Sequence, residues 1–75
     1  MALTYFKQPF TATVVNRNKE RHGEVGKYGE FYIQDANQNI AAYVRICPGL
    51  GSTVGGRYTE AQTIANTIVT QLNLL

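Results

Sequence analysis

From Phe10 to Asn16 the chain reads F-T-A-T-V-V-N, β-branched and alternating between two faces, a period of two that predicts a strand. Tyr28 to Asp35, Y-G-E-F-Y-I-Q-D, and Ile40 to Cys47, I-A-A-Y-V-R-I-C, repeat that pattern, with A-N-Q-N between them as a turn. The strands are expected over about residues 10–18, 24–35 and 40–47. A slip of one residue would turn every side chain to the wrong face, so alternation limits the pairings. In the second hairpin Ile33 is expected opposite Ala42, Phe31 opposite Val44, Tyr32 opposite Tyr43 and Glu30 opposite Arg45. In the first, a turn on Arg21 and His22 places Ala12 beside Phe31, Phe10 beside Ile33 and Lys19 beside Glu24. The inner face is then Phe10, Ala12, Val14, Phe31, Ile33, Ile40, Ala42, Val44 and Ile46.

After Cys47, the run P-G-L-G-S-T-V-G-G-R predicts a glycine-rich loop over 48–58. Thr59 is the expected N-cap of a helix reaching about residue 74, with Glu60 favourable in its first turn. Ala61, Ile64, Ala65, Ile68, Leu72 and Leu75 form its apolar stripe, and Gln62, Thr63, Asn66, Thr67, Thr70 and Asn73 its polar side. The N-terminal segment ended by Pro9 reads as an arm or an edge strand. The expected fold is a single α+β domain over 1–75: an antiparallel three-stranded β-meander, four-stranded if the arm adds a strand, packed on one C-terminal helix.

Composition narrows what such a fold does. Charged residues make up 16% of the 75, against roughly 25% in ordinary globular domains, while 44% are hydrophobic, so this is a folded chain whose polarity lies in amides and hydroxyls. A domain of this size buries only about 60% of its unfolded surface, and a partner chain is one way to enlarge the core. With one cysteine, Cys47, and one histidine, His22, an internal disulfide and a four-ligand zinc site are both excluded, which makes homodimerisation the remaining expectation. No stretch approaches the roughly 18 apolar residues of a membrane span, and Lys7, Gln8 and Pro9 interrupt any leader-like run, so a cytoplasmic location without membrane contact is expected.

The net charge of +2 is local. Residues 16–27 hold Arg17, Lys19, Arg21 and Lys27 against Glu20 and Glu24, and elsewhere Lys7, Arg45 and Arg57 balance Glu30, Asp35 and Glu60. The hairpin that carries the excess borders an outer sheet face with Tyr28, Tyr32, Tyr43 and Arg45, an aromatic and cationic surface suited to a protein interface or to stacking bases. Arg17, Lys19, Arg21, Tyr28, Tyr32, Tyr43 and Arg45 are therefore the candidate partner-binding residues. Gly51 to Gly56 has the glycine spacing of a phosphate loop, but Arg57 and Tyr58 stand where that motif needs Lys and then Ser or Thr. What survives is a candidate anion site at Gly55, Gly56 and Arg57. No carboxylate pair or Cys-His arrangement suggests catalysis, and no cofactor or metal is expected.

The run T-E-A-Q-T-I-A-N-T-I-V-T-Q-L-N, Thr59 to Asn73, resembles the closing helix of small accessory proteins encoded by bacteriophages and prophages, whose I-V-x-x-Φ-N element falls here on Ile68, Val69, Leu72 and Asn73. That resemblance implies a non-enzymatic phage product acting on a host protein, a class that includes anti-CRISPR and other anti-defence inhibitors. Three strands before a helix opening T-E-A are also similar to AP2-like and phage-integrase N-terminal DNA-binding domains, which would turn Arg17, Arg45 and the outer tyrosines toward DNA. The leading expectation is a protein-binding accessory domain. Nucleic-acid binding and a nucleotide or anion sponge are the alternatives.

Overall fold

The computed structural model describes residues 3–16 and 29–75. Its elements are β1 (Thr11–Asn16), β2 (Gly29–Gln34), β3 (Ile40–Arg45), a 3-10 turn (Pro48–Leu50) and helix α1 (Val54–Asn73). The strands form one antiparallel sheet in the order β1-β2-β3, and α1 covers one of its faces: the expected α+β meander. Residues 3–10 contain no strand, so the described sheet stays three-stranded.

The β2–β3 register is the expected one for Glu30–Arg45, Phe31–Val44, Tyr32–Tyr43 and Ile33–Ala42. Beyond Ile33 it shifts: Gln34 pairs with Ile40, leaving Ala41 as the extra residue of a β-bulge. The bulge follows from the turn. Asp35 N–H donates to Asn39 O and Gln38 N–H to Asp35 O, both at 3.0 Å, with Gln38 in the left-handed region at φ 66°. One inserted residue reverses parity, so Ile40 leaves the inner face expected for it and lies opposite Gln34, 38% exposed.

The first hairpin is corrected by two residues. Ala12 faces Ile33 and Val14 faces Phe31, where Ala12 opposite Phe31 and Phe10 opposite Ile33 were expected. A shift of two keeps every side chain on its face, so alternation alone does not detect it. What anchors the strand is long-range: the Asn73 side chain accepts from Phe10 N–H at 2.7 Å and donates to Phe10 O at 3.1 Å. The Lys19–Glu24 pair and the Arg21–His22 turn lie outside the described residues.

The core joins Phe31 and Ile46 of the sheet side to Ala61 and Ala65 of α1, all buried, with Ala12, Val14, Val44, Leu50 and Tyr58 packed around them. Two alanines one turn apart on the buried stripe let the helix sit close to the sheet, and Tyr58 completes the contact with its ring 5.5 Å from that of Phe31. Ile64, Ile68 and Leu72 are half-buried as the stripe predicts, but Leu75 lies past the helix end and is 50% exposed.

Helix α1 begins five residues earlier than Thr59. Thr53 is the N-cap, with extended backbone and its Oγ1 accepting from Gly56 N–H at 3.0 Å. Glycines 55 and 56 belong to the first turn rather than to a loop. Thr59, Thr63 and Thr67 lie inside the helix and donate their hydroxyls to Gly55 O, Thr59 O and Thr63 O, the residues four positions before them.

Two adjacent residues, Lys7 and Gln8, tie the N-terminal arm to the β2–β3 turn and to the end of the helix. Asp35 Oδ2 accepts from Lys7 N–H at 2.9 Å, and Ala36 N–H donates to Lys7 O at 2.8 Å. Gln8 Nε2 donates to Leu72 O and Leu75 O, satisfying carbonyls at the helix C-terminus where no basic side chain is present. A cis Gln8–Pro9 bond lies between these contacts and Phe10.

Candidate functional site

Helix α1 occupies the inner face, and among the described residues no element lies over the other face. Three rows cross it: Thr11–Gln34–Ile40, Thr13–Tyr32–Tyr43 and Val15–Glu30–Arg45. The two-residue shift of β1 brings Thr13 rather than Thr11 beside the tyrosines.

Backbone directions explain why the central row is tight. Ile46 N–H donates to Gly29 O, so Gly29, Phe31 and Ile33 direct their backbone groups toward β3, and Glu30, Tyr32 and Gln34 toward β1. Tyr32–Tyr43 and Glu30–Arg45 are thus non-hydrogen-bonded pairs, in which side chains approach most closely. The tyrosine rings meet edge to face, centroids 5.1 Å apart and planes at 89°. Tyr43 remains 59% exposed while Tyr32 is half-buried, so one ring supports the other. Arg45 is exposed, whereas Glu30 beside it is only 9% exposed.

These four side chains, Glu30, Tyr32, Tyr43 and Arg45, line an open hollow of about 390 Å³. Chemically it offers an aromatic edge and face, a guanidinium with several donors, and a carboxylate at its base. The surface is thus of mixed polarity. Of the expected partner-binding residues, Tyr32, Tyr43 and Arg45 come together here, and Arg17, Lys19, Arg21 and Tyr28 lie outside the described residues.

Two members of this face were not singled out from the sequence. Glu30 was read as an outer-face charge opposite Arg45 and not as part of a site; its paired position was the available signal. Ile40 had been assigned to the core, and nothing in the periodicity announces the bulge that exposes it.

The candidate anion residues stand elsewhere, in the helix layer. Gly56 N–H is taken by Thr53 Oγ1, Arg57 N–H by Thr53 O, and Arg57 Nε donates to Gly51 O at 2.8 Å. The donors expected to face an anion are largely spent on closing the turn that begins the helix. Cys47 is half-buried, and His22 lies outside the described residues. Among the described residues no group of three or more His, Cys, Asp or Glu is placed to hold a metal ion, and no helix is long and apolar enough to cross a membrane.

Comparison with the models of known families, with characterised proteins and with solved structures finds no match.

Proposed function

We propose that the chain is a binding domain, acting through contact rather than catalysis, and that its outer sheet face docks a protein partner around Tyr43 and Arg45. The observation that carries this reading is how the described residues cover the sheet: the helix packs on one face, and the other gathers the Tyr32–Tyr43 pair, Arg45 and Glu30 around a hollow. Tyrosine and arginine are the side chains that most often dominate protein interfaces, because each combines large contact area with directed hydrogen bonds. Glu30 favours protein over nucleic acid as the occupant, since a carboxylate in the hollow repels a phosphate chain and can accept hydrogen bonds from a protein. The host protein implied by the phage resemblance is the partner class in view.

The test uses immobilised full chain against a cytoplasmic extract, with Tyr43→Ala and Arg45→Ala variants of unchanged circular dichroism beside it. A protein retained by the wild type is expected to lose at least about tenfold in affinity on either substitution, a change of about 1.4 kcal/mol. Equal retention by both variants overturns the assignment of the face. In parallel, fluorescent single- and double-stranded DNA is titrated at low salt. Tight binding that falls steeply with added salt would replace the protein reading with the nucleic-acid one.

A further inference from the structure

The bulge in the second hairpin changes which side chains reach the outer face. In a regular ladder Gln34 would pair with Ala41, and Ile40 would fall on the inner side with Ala42 and Val44. The extra residue at Ala41 instead seats Ile40 opposite Gln34, 38% exposed. The turn before it is tightly fixed. Gln38 takes φ 66°, and Asp35 Oδ1 accepts from the N–H groups of Asn37 and Asn39 at 2.9 and 2.8 Å. Bulges recur beside functional surfaces, where they re-aim a side chain, and here the side chain turned outward is an isoleucine that a small core would otherwise bury.

Gln34 and Tyr32 stand two residues apart on β2 and share a face, which puts their partners Ile40 and Tyr43 side by side, about 7 Å apart. Arg45 follows Tyr43 at the same spacing. β3 thus carries three exposed side chains in a strip about 14 Å long, first aliphatic, then aromatic, then cationic. Beside Ile40 lie Gln34 and Thr11, and beside Tyr43 lie Tyr32 and Thr13, all uncharged. Only the last row is charged, and there Glu30 balances Arg45.

We infer that Ile40 is a second anchor of the docking face, and that the protein partner meets it with an aliphatic side chain on an uncharged segment. This rests on the protein-docking reading of the face and names what the partner brings to it. Charge complementarity selects that chemistry. An ionised group of either sign placed over Ile40 and Tyr43 would give up hydration and find no counter-charge in their rows, a cost that an aliphatic group does not incur. At the other end Arg45 supplies N–H donors and Glu30 an acceptor, which the C=O and N–H groups of a peptide backbone match. A strip of about 14 Å corresponds to about four or five extended residues of the partner.

The probe is a displayed library of random peptides, about twelve residues long, selected on the immobilised full chain; the best binder is then titrated as a fluorescent peptide. Enriched peptides are expected to share an aliphatic residue within an uncharged stretch, and affinity should change by less than about twofold between low and high salt. Ile40→Val should bind within about twofold of the wild type. Ile40→Thr, which keeps the β-branched stem, should weaken binding by about fivefold, and Ile40→Lys by about tenfold or more. The threonine and valine variants decide the outcome if the lysine disturbs the turn. Binding that Tyr43→Ala weakens and Ile40→Thr leaves intact overturns the inference but keeps the docking reading. Binding indifferent to Tyr43→Ala, Arg45→Ala and Ile40→Thr overturns both. A selection that returns only charged peptides, or none, overturns the inference. Self-association of the wild type in sedimentation that Ile40→Thr abolishes gives the strip to a second copy and overturns it too.

Discussion

Asp35 shows how much a single side chain organises in this molecule. Its Oδ1 accepts from Asn37 N–H at 2.9 Å and Asn39 N–H at 2.8 Å, which shapes the turn, and its Oδ2 accepts from Lys7 N–H and Asn39 Nδ2, which ties the arm to that turn. Burial, with 3% of the residue exposed, opposes ionisation, but the hydrogen bonds from Lys7, Asn39 and Asn37 outweigh it and hold the carboxyl below its ordinary value of 3.8. A carboxyl depressed in the folded state contributes stability that is fully present above its unfolded value and is lost as pH falls through its folded value. Asp35→Asn replaces an accepting oxygen with a donating amide opposite two donors. The expected result is a melting temperature lower by roughly 5–10 °C at neutral pH. Below about pH 4 the difference should narrow, because the wild type loses its own ionised acceptor there. Melting curves across that range check it; a constant difference at every pH would show that the carboxylate charge is not what the turn uses.

At the scale of elements, the start of α1 is where glycine composition misleads. Gly51, Gly55 and Gly56 suggest an open loop, yet Thr53 caps the helix before the last two, and a Cβ on Gly51 would lie only 3.4 Å from the backbone of Gly56 and Arg57. The two helical glycines are not equivalent. A Cβ on Gly55 meets nothing within 4 Å, while one on Gly56 would sit 2.9 Å from the capping oxygen of Thr53. Gly55→Ala is therefore expected to stabilise the protein by roughly 0.4–1 kcal/mol by restricting the unfolded chain. Gly56→Ala should show no such gain, since displacing the cap costs about 1 kcal/mol. Urea unfolding of the pair measures the contrast, and equal gains would place the cap elsewhere. The same comparison separates what sequence conveys from what it does not. Alternation assigned Phe31, Tyr32, Val44 and Arg45 to their faces and paired β2 with β3, because each of those statements depends on parity and on nearby residues. The two-residue offset of β1 and the exposure of Ile40 depend on Asn73 and on a bulge after a left-handed Gln38, and neither contact leaves a periodic trace.

For the molecule as a whole, the proposed binding face is only as rigid as the helix layer behind it. Tyr32 and Tyr43 sit on strands whose opposite side is held by Phe31 and Val44 against α1, so the outer geometry is fixed by how closely the helix approaches the sheet. That approach rests on Ala61 and Ala65, both with no exposed surface. Ala65→Leu adds three carbons where none fit and must push the helix outward or force strained rotamers, at an expected cost of about 1–3 kcal/mol. Against a domain stability of roughly 5–15 kcal/mol that is a large fraction, and a small core stands at the lower end of the range. Gln62→Leu, the same new side chain on the exposed side of the helix, should change stability by no more than about 0.5 kcal/mol. Unfolding midpoints in urea distinguish them. If Ala65→Leu is as harmless as Gln62→Leu, the helix does not press on the sheet, and the layer that positions Tyr43 and Arg45 is not the one described. If it is costly, the stretch of helix from Ala61 onward, which carries no charge, serves to hold the sheet, and the proposed recognition is left to the opposite side.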